Sequence, residues 1–86
     1  MSYKIYVGKF RDNGEKEIIR LISEPTEKQY PWYSSFLGPF KTIRAALWYI
    51  DHPFAQCQTI KEFEHMALVH QTQSELIKSY QKHLDK

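Results

Sequence analysis

The chain is poor in the residues that most often announce a chemistry. It has a single cysteine, Cys57, so no disulfide can form within it and no CxxC pair exists to seed a zinc site. Glycine is scarce too, with three in 86 residues. That excludes the glycine-rich loops that cradle phosphates and dinucleotides, which need runs of backbone amides free of side chains. No apolar stretch approaches the roughly 20 residues of a membrane-spanning helix, and the chain starts without an apolar leader. The expectation is a soluble, cytoplasmic protein with no membrane partner. A formal charge of +2 is too small to imply nucleic acid by itself.

Catalytic signatures are equally thin. The histidines are His52, His65, His70 and His83. His65 and His70 would sit about 140° apart around a helix, so they do not converge on a metal. Cys57 can be paired on paper with His52 or His65, but no orienting third group or nucleophile elbow accompanies them. The reading is therefore a protein without catalytic residues, metal or cofactor, and not an enzyme.

Aromatic residues are what the chain has in quantity: six Tyr, five Phe and two Trp, 15% of the total. Each buries a large area, which a core this small needs, and each is a good contact residue when left outside. With 42% hydrophobic and 26% charged residues, residues 1–86 read as one small globular domain. Charge is uneven. Residues 1–44 carry eight Lys/Arg against five Asp/Glu, and residues 45–86 carry four against five. Ordinary solvated faces account for that, and so does a basic contact surface in the first half.

Tyr3–Phe10 alternates and is rich in β-branched and aromatic residues, which predicts a strand. Tyr3, Ile5 and Val7 fall on one face, and Lys4, Tyr6 and Phe10 on the other. Asp12-Asn13-Gly14 is a hairpin signal, and Glu17–Ile22 is the returning strand. Two prolines mark Ser23–Pro31 as a loop. A third strand is expected from Trp32 to Leu37, with Trp32, Ser34 and Phe36 on one side and Tyr33, Ser35 and Leu37 on the other. Neither face of this sheet is purely polar, so one packs on a helix and the second needs a cover or a partner.

Gly38-Pro39 predicts a tight turn, Phe40 a plug beneath it, and Thr42 the N-cap of a helix. Ile43, Ala46, Leu47 and Ile50 then form one apolar stripe, ending at Asp51-His52-Pro53. Thr59-Ile60-Lys61-Glu62 is a capping box for a second helix. Beyond it Phe63, Met66, His70, Gln73, Ile77, Tyr80 and Leu84 recur at alternating spacings of three and four. Thr72-Gln73-Ser74-Glu75 is another capping box and marks a break near Gln71. The absence of Gly and Pro between Val69 and Glu75 favours one continuous helix instead.

The fold expected is α+β: a three-stranded antiparallel sheet packed by a short helix, followed by a longer C-terminal helix. Two contact surfaces follow. The basic hairpin offers Tyr6, Lys9, Phe10, Arg11 and Arg20, and a basic strand pair with interleaved aromatics suits DNA or RNA. The alternative is that Tyr6 and Phe10 are covered by the C-terminal helix, with the cations protecting a strand from aggregation. The C-terminal helix offers Phe63, His70 and Tyr80, which could seal its own sheet, join a partner helix or form a homodimer seam. The function expected is a non-catalytic accessory or regulatory one, exercised through a macromolecular partner. Another protein is the first expectation, and nucleic acid bound by the hairpin is the second.

Phe36-Leu37-Gly38, Phe40 and Thr42, followed by Ala46 and Asp51 and preceded by Tyr6 and Gly8, resemble the strand–turn–helix corner of AP2/integrase-type DNA-binding minidomains. The resemblance covers residues 3–51. It implies three antiparallel strands on one helix, with the sheet entering the major groove. Lys9, Arg11 and Arg20 are then the positions expected to contact DNA. Lys9-Phe10 stands where that family is arginine-rich, Ile50 where it has an aromatic residue, and the second helix lies outside its pattern.

Overall fold

The Asn13-Gly14 turn folds the chain back on itself as its chemistry dictates. Gly14 takes a φ of +72°, Asn13 Oδ1 accepts from the Glu15 amide at 2.9 Å, and the Phe10 amide donates to the Glu15 carbonyl at 2.7 Å. The strands so joined are β1, Lys4–Phe10, and β2, Lys16–Leu21. A third strand, β3 (Tyr33–Phe40), pairs antiparallel with the other side of β1, giving the order β2-β1-β3. Three helices follow: α1 (Ile43–Asp51), α2 (Ile60–His70) and α3 (Gln73–His83). The computed structural model describes residues 3–52 and 59–84. Pro53, expected to help end α1, and Cys57, with its drawn pairings to His52 and His65, lie outside the described residues.

β3 corrects two expectations. It begins at Tyr33 rather than Trp32 and runs through Gly38-Pro39 to Phe40, so that pair is an irregularity inside the strand, not its end. Val7 faces Leu37 while Ile5 faces Phe40, so β3 carries an extra residue there, and the Gly38–Pro39 peptide is cis. The second irregularity lies at Ser34, because Lys9 faces Ser35 and Phe10 faces Tyr33. Strict alternation puts Tyr33 with Ser35 and Leu37. The bulge moves it to the other face, where its ring lies 5.5 Å from that of Phe36.

Thr42 caps α1 as expected, its Oγ1 accepting from the Ala45 amide at 3.2 Å. Glu64 of α2 adds a second cap. Its Oε1 accepts from the Lys41 and Thr42 amides at 2.6 and 3.0 Å, and its Oε2 accepts from the Thr42 hydroxyl at 2.9 Å. Ala45, Ala46, Leu47 and Trp48 are all buried. Four consecutive buried residues exceed one stripe because α1 has the sheet on one side and α2 and α3 on the other. Val7, Phe40, Ala45, Ala46, Trp48, Phe63 and Ala67 make the core, with Ile5, Ile18 and Leu37 of the sheet packed against it. Lys16 reaches over this side of the sheet and places its ammonium 5.3 Å from the centre of the Tyr49 ring.

The C-terminal segment is two helices, contrary to the preference for one. Gln71 leaves the helical backbone with ψ 116°, and Thr72 caps α3 by accepting from the Glu75 amide at 3.2 Å. Glycine and proline are unnecessary because the opened backbone is satisfied from elsewhere. Arg44 of α1 donates to the Gln71 carbonyl at 2.7 Å and to its side-chain Oε1 at 3.0 Å. Neither helix covers the sheet's second face; α3 packs principally on α1.

That packing is largely polar, since Ser79 is the buried residue of α3. The Ser79 hydroxyl donates to Asp51 Oδ2, and His83 Nε2 donates to Asp51 Oδ1 at 2.9 Å. Burial pushes the Asp51 pKa up, but the Ser79 and His83 hydrogen bonds and the His83 and Lys82 charges outweigh it, so the net shift is below the ordinary 3.8. A depressed carboxylate contributes stability above its unfolded pKa and loses it as pH falls through the folded value. Asp51→Asn should therefore cost about 1–2 kcal/mol at neutral pH and flatten the fall in stability below about pH 4. Urea unfolding at several pH values measures both, and a variant with an unchanged acid limb would refute this account of the latch.

Candidate interaction surface

The sheet's outer face, the one turned away from α1, is built around Gly8. A Cβ there would lie 2.8 Å from two carbons of the Tyr33 ring, so that ring lies flat across the β1 backbone. Tyr33 is 3% exposed, and its hydroxyl donates to Glu17 Oε2 at 2.5 Å. Burial, then the Glu17 hydrogen bond, push its pKa up to about 12. Around it stand Phe10 at 5.0 Å, Tyr30 at 6.0 Å and Trp32 at 5.9 Å between ring centres, with Phe36 beside both Tyr33 and Tyr30. Tilted and edge-on rings at these distances each add about 0.5–1.5 kcal/mol to the gain from burial. Trp32 is the outermost member, 51% exposed and set edge-on to Tyr30.

This cluster is the cover that the second face required. It comes from β3 and the end of the β2–β3 loop rather than from a helix. Tyr30, Trp32 and Phe36 were not among the sequence-derived candidates. A glycine in a central strand whose face is otherwise aromatic was the available signal, because such a glycine makes room for a ring from the neighbouring strand.

The candidates from the hairpin are not brought together. Tyr6 is 5% exposed and Phe10 is half-buried against Tyr33, both on the outer face. Lys9 pairs with Lys16 and Ser35, and Arg20 pairs with Ile5. Both therefore belong to the opposite, helix-side face, at its solvent-exposed margins. Arg11 is committed to the loop, donating to the Pro31 carbonyl at 3.4 Å and the Tyr33 carbonyl at 3.3 Å. Beside the cluster, Arg11 is thus matched by the acidic Glu17, which accepts from the Tyr33 hydroxyl.

The C-terminal candidates separate likewise. Phe63 is 5% exposed and belongs to the core. His70 is exposed in the last turn of α2. Tyr80 lies outside on α3 at 39% exposure, three residues from Ile77, which is 50% exposed, so the two share one helix face. Leu68 and Val69 are also exposed near the end of α2. Among the described residues no group of three His, Cys, Asp or Glu side chains is set to hold a metal, and no helix is long and apolar enough to cross a membrane. No family model, curated protein or solved structure matches this chain.

Proposed function

We propose that this chain is a non-catalytic accessory or regulatory module that binds another protein. The outer aromatic face is its main contact and the Ile77–Tyr80 face of α3 a second. The observation that carries the reading is Trp32. It stands half out of the protein on a rigid aromatic base of Tyr30, Tyr33 and Phe36. A rigid, partly exposed tryptophan loses little entropy on docking and offers a large apolar area, which is why such residues dominate interface energies. Lys9 and Arg20 lie on the helix-side face, and Arg11, tied to the Pro31 and Tyr33 carbonyls, is matched beside the cluster by Glu17, which favours a protein over a nucleic acid as the partner.

Trp32→Ala should leave the fold intact, lowering stability by about 1 kcal/mol, while weakening partner binding roughly 30-fold, as for an interface hot spot. A partner captured from source-cell extract and titrated against both forms gives the comparison. Equal affinity for wild type, Trp32→Ala and Ile77→Ala/Tyr80→Ala would end the proposal. Titration with duplex and single-stranded nucleic acid at low salt tests the hairpin alternative, and saturable, steeply salt-dependent binding would establish it instead.

A further inference from the structure

Beneath the β2–β3 loop, beside the free edge of β3, lies a hollow of about 330 Å³. Its walls include Tyr6, Glu24, Glu27, Ser35, Phe36 and Gly38. We propose that this hollow binds an organic cation, the alkylammonium or guanidinium group carried by lysine, arginine and small amines.

Three features support that chemistry. The first is charge. Glu24 and Glu27 stand on the wall with no hydrogen bond or ion pair among the described residues, and no Lys or Arg lines the hollow. Two carboxylates without a counter-charge attract a cation and repel an anion. The second is the aromatic wall. Tyr6 and Phe36 both line the same space, and a cation with a hydrocarbon stem is attracted to aromatic rings while its stem buries apolar area.

The third is Tyr6 itself, a residue 5% exposed whose hydroxyl has no hydrogen-bond partner among the described residues. A Cβ at Gly38 would lie 2.7 Å from Tyr6 Cδ1 and 3.1 Å from Cγ. The inner end of the ring is therefore seated on Gly38. Burial, and then the Glu24 charge, raise the Tyr6 pKa, so the hydroxyl stays neutral and its oxygen is free to accept from an N–H. The oxygen is not sealed in, since the buried side-chain polar atom without a partner among the described residues is Trp48 Nε1, so an incoming ammonium or guanidinium can reach it.

Trp32 is not part of this wall, so the site stands or falls separately from the docking role given to that residue. A free amine and a lysine of a partner protein fit the same groups. β3 is an edge strand, which suits an extended lysine-bearing segment laid along it.

The test is a titration of the isotopically labelled chain, following the amides of Ser35, Phe36 and Gly38. One arm uses n-butylammonium, a second a short extended peptide with a single central lysine, and a third n-butanol as the uncharged control. Saturable shifts with either cationic probe, absent with butanol, are expected. Glu24→Gln/Glu27→Gln should weaken binding roughly tenfold, and Tyr6→Phe, which keeps the ring on Gly38, should weaken it several-fold. Tighter binding of the peptide identifies a protein-borne cation, and tighter binding of butylammonium a small amine. No saturable shift with either cation would overturn the proposal, and so would equal shifts with butanol or undiminished binding in the double glutamine variant.

Discussion

Phe63→Ala is expected to cost about 3–5 kcal/mol, the usual range for deleting a fully packed aromatic ring. Phe63 is 5% exposed, and its ring centre lies 5.0 Å from that of Tyr49, 6.2 Å from Phe40 and 6.3 Å from Trp48. It is therefore the point where α1, α2 and β3 meet. The rings around the cavity belong to β3 and α1 and cannot close in without shifting α2 from its seat. A chain of this length has about 4–13 kcal/mol of stability in total, so the loss leaves a marginal protein. Urea titration should show the midpoint falling with little change in slope. Phe63→Leu should recover more than half of the loss, because it refills most of the volume. Tyr80→Ala, on an exposed face, should cost below about 1 kcal/mol. Equal costs for Phe63→Ala and Tyr80→Ala would show that Phe63 is not the packing centre described.

Gly38→Ala is expected to destabilise by about 3 kcal/mol or more, for two reasons that act together. The backbone there has φ +149°, a conformation that side chains rarely adopt, and holding one in it costs about 1–3 kcal/mol. The new Cβ would also lie 2.9 Å from the Ile5 carbonyl oxygen and 2.7 Å from Tyr6 Cδ1. The first of these neighbours is backbone of the central strand and cannot give way without disturbing the β1–β3 ladder. Gly8→Ala provides the calibration. Its Cβ would meet only the ring of Tyr33, at 2.8 Å, and a ring can tilt. That variant should lose about 1–3 kcal/mol, as for an overpacked site, and should disturb the aromatic cluster more than the helices. Thermal unfolding followed by tyrosine and tryptophan fluorescence distinguishes the two. A Gly38→Ala protein within 1 kcal/mol of wild type would mean that the strand irregularity is readily rebuilt.

Most of the fold was legible in the residues because its local signals agree with one another. Asn13-Gly14 sets the hairpin, and Thr42, Thr59 and Thr72 each cap a helix through the amide three residues on. The α+β architecture follows from that order of elements. The helix break at Gln71 was half legible. The Thr72–Glu75 capping box marks it, but the arginine that satisfies the opened carbonyl lies 27 residues away on α1. No local pattern contains that bond.

The surfaces were less legible, for a related reason. Side-chain period tells which residues share a face only while the strand is regular. The bulge at Ser34 moved Tyr33 across the sheet, and with it the identity of the aromatic face. Lys9 follows the period of β1 onto the face of Ile5 and Val7, away from Tyr6 and Phe10, and Arg20 joins that face by pairing with Ile5. Heptad spacing likewise joined Phe63 to Tyr80, although one became core and the other surface once the helix broke between them.

By itself, then, the sequence determined the three strands and the first helix in their order, the threonine caps, and the need for a cover or a partner on the second sheet face. Those are properties of neighbouring residues and of total apolar content. Tertiary structure alone decided which aromatics supply that cover, that α3 is latched to α1 through Asp51, and that Tyr6 and two glutamates face one hollow. Each depends on a contact between residues far apart in the chain. Such contacts are set by bulges and helix ends whose small displacements decide which side chains meet.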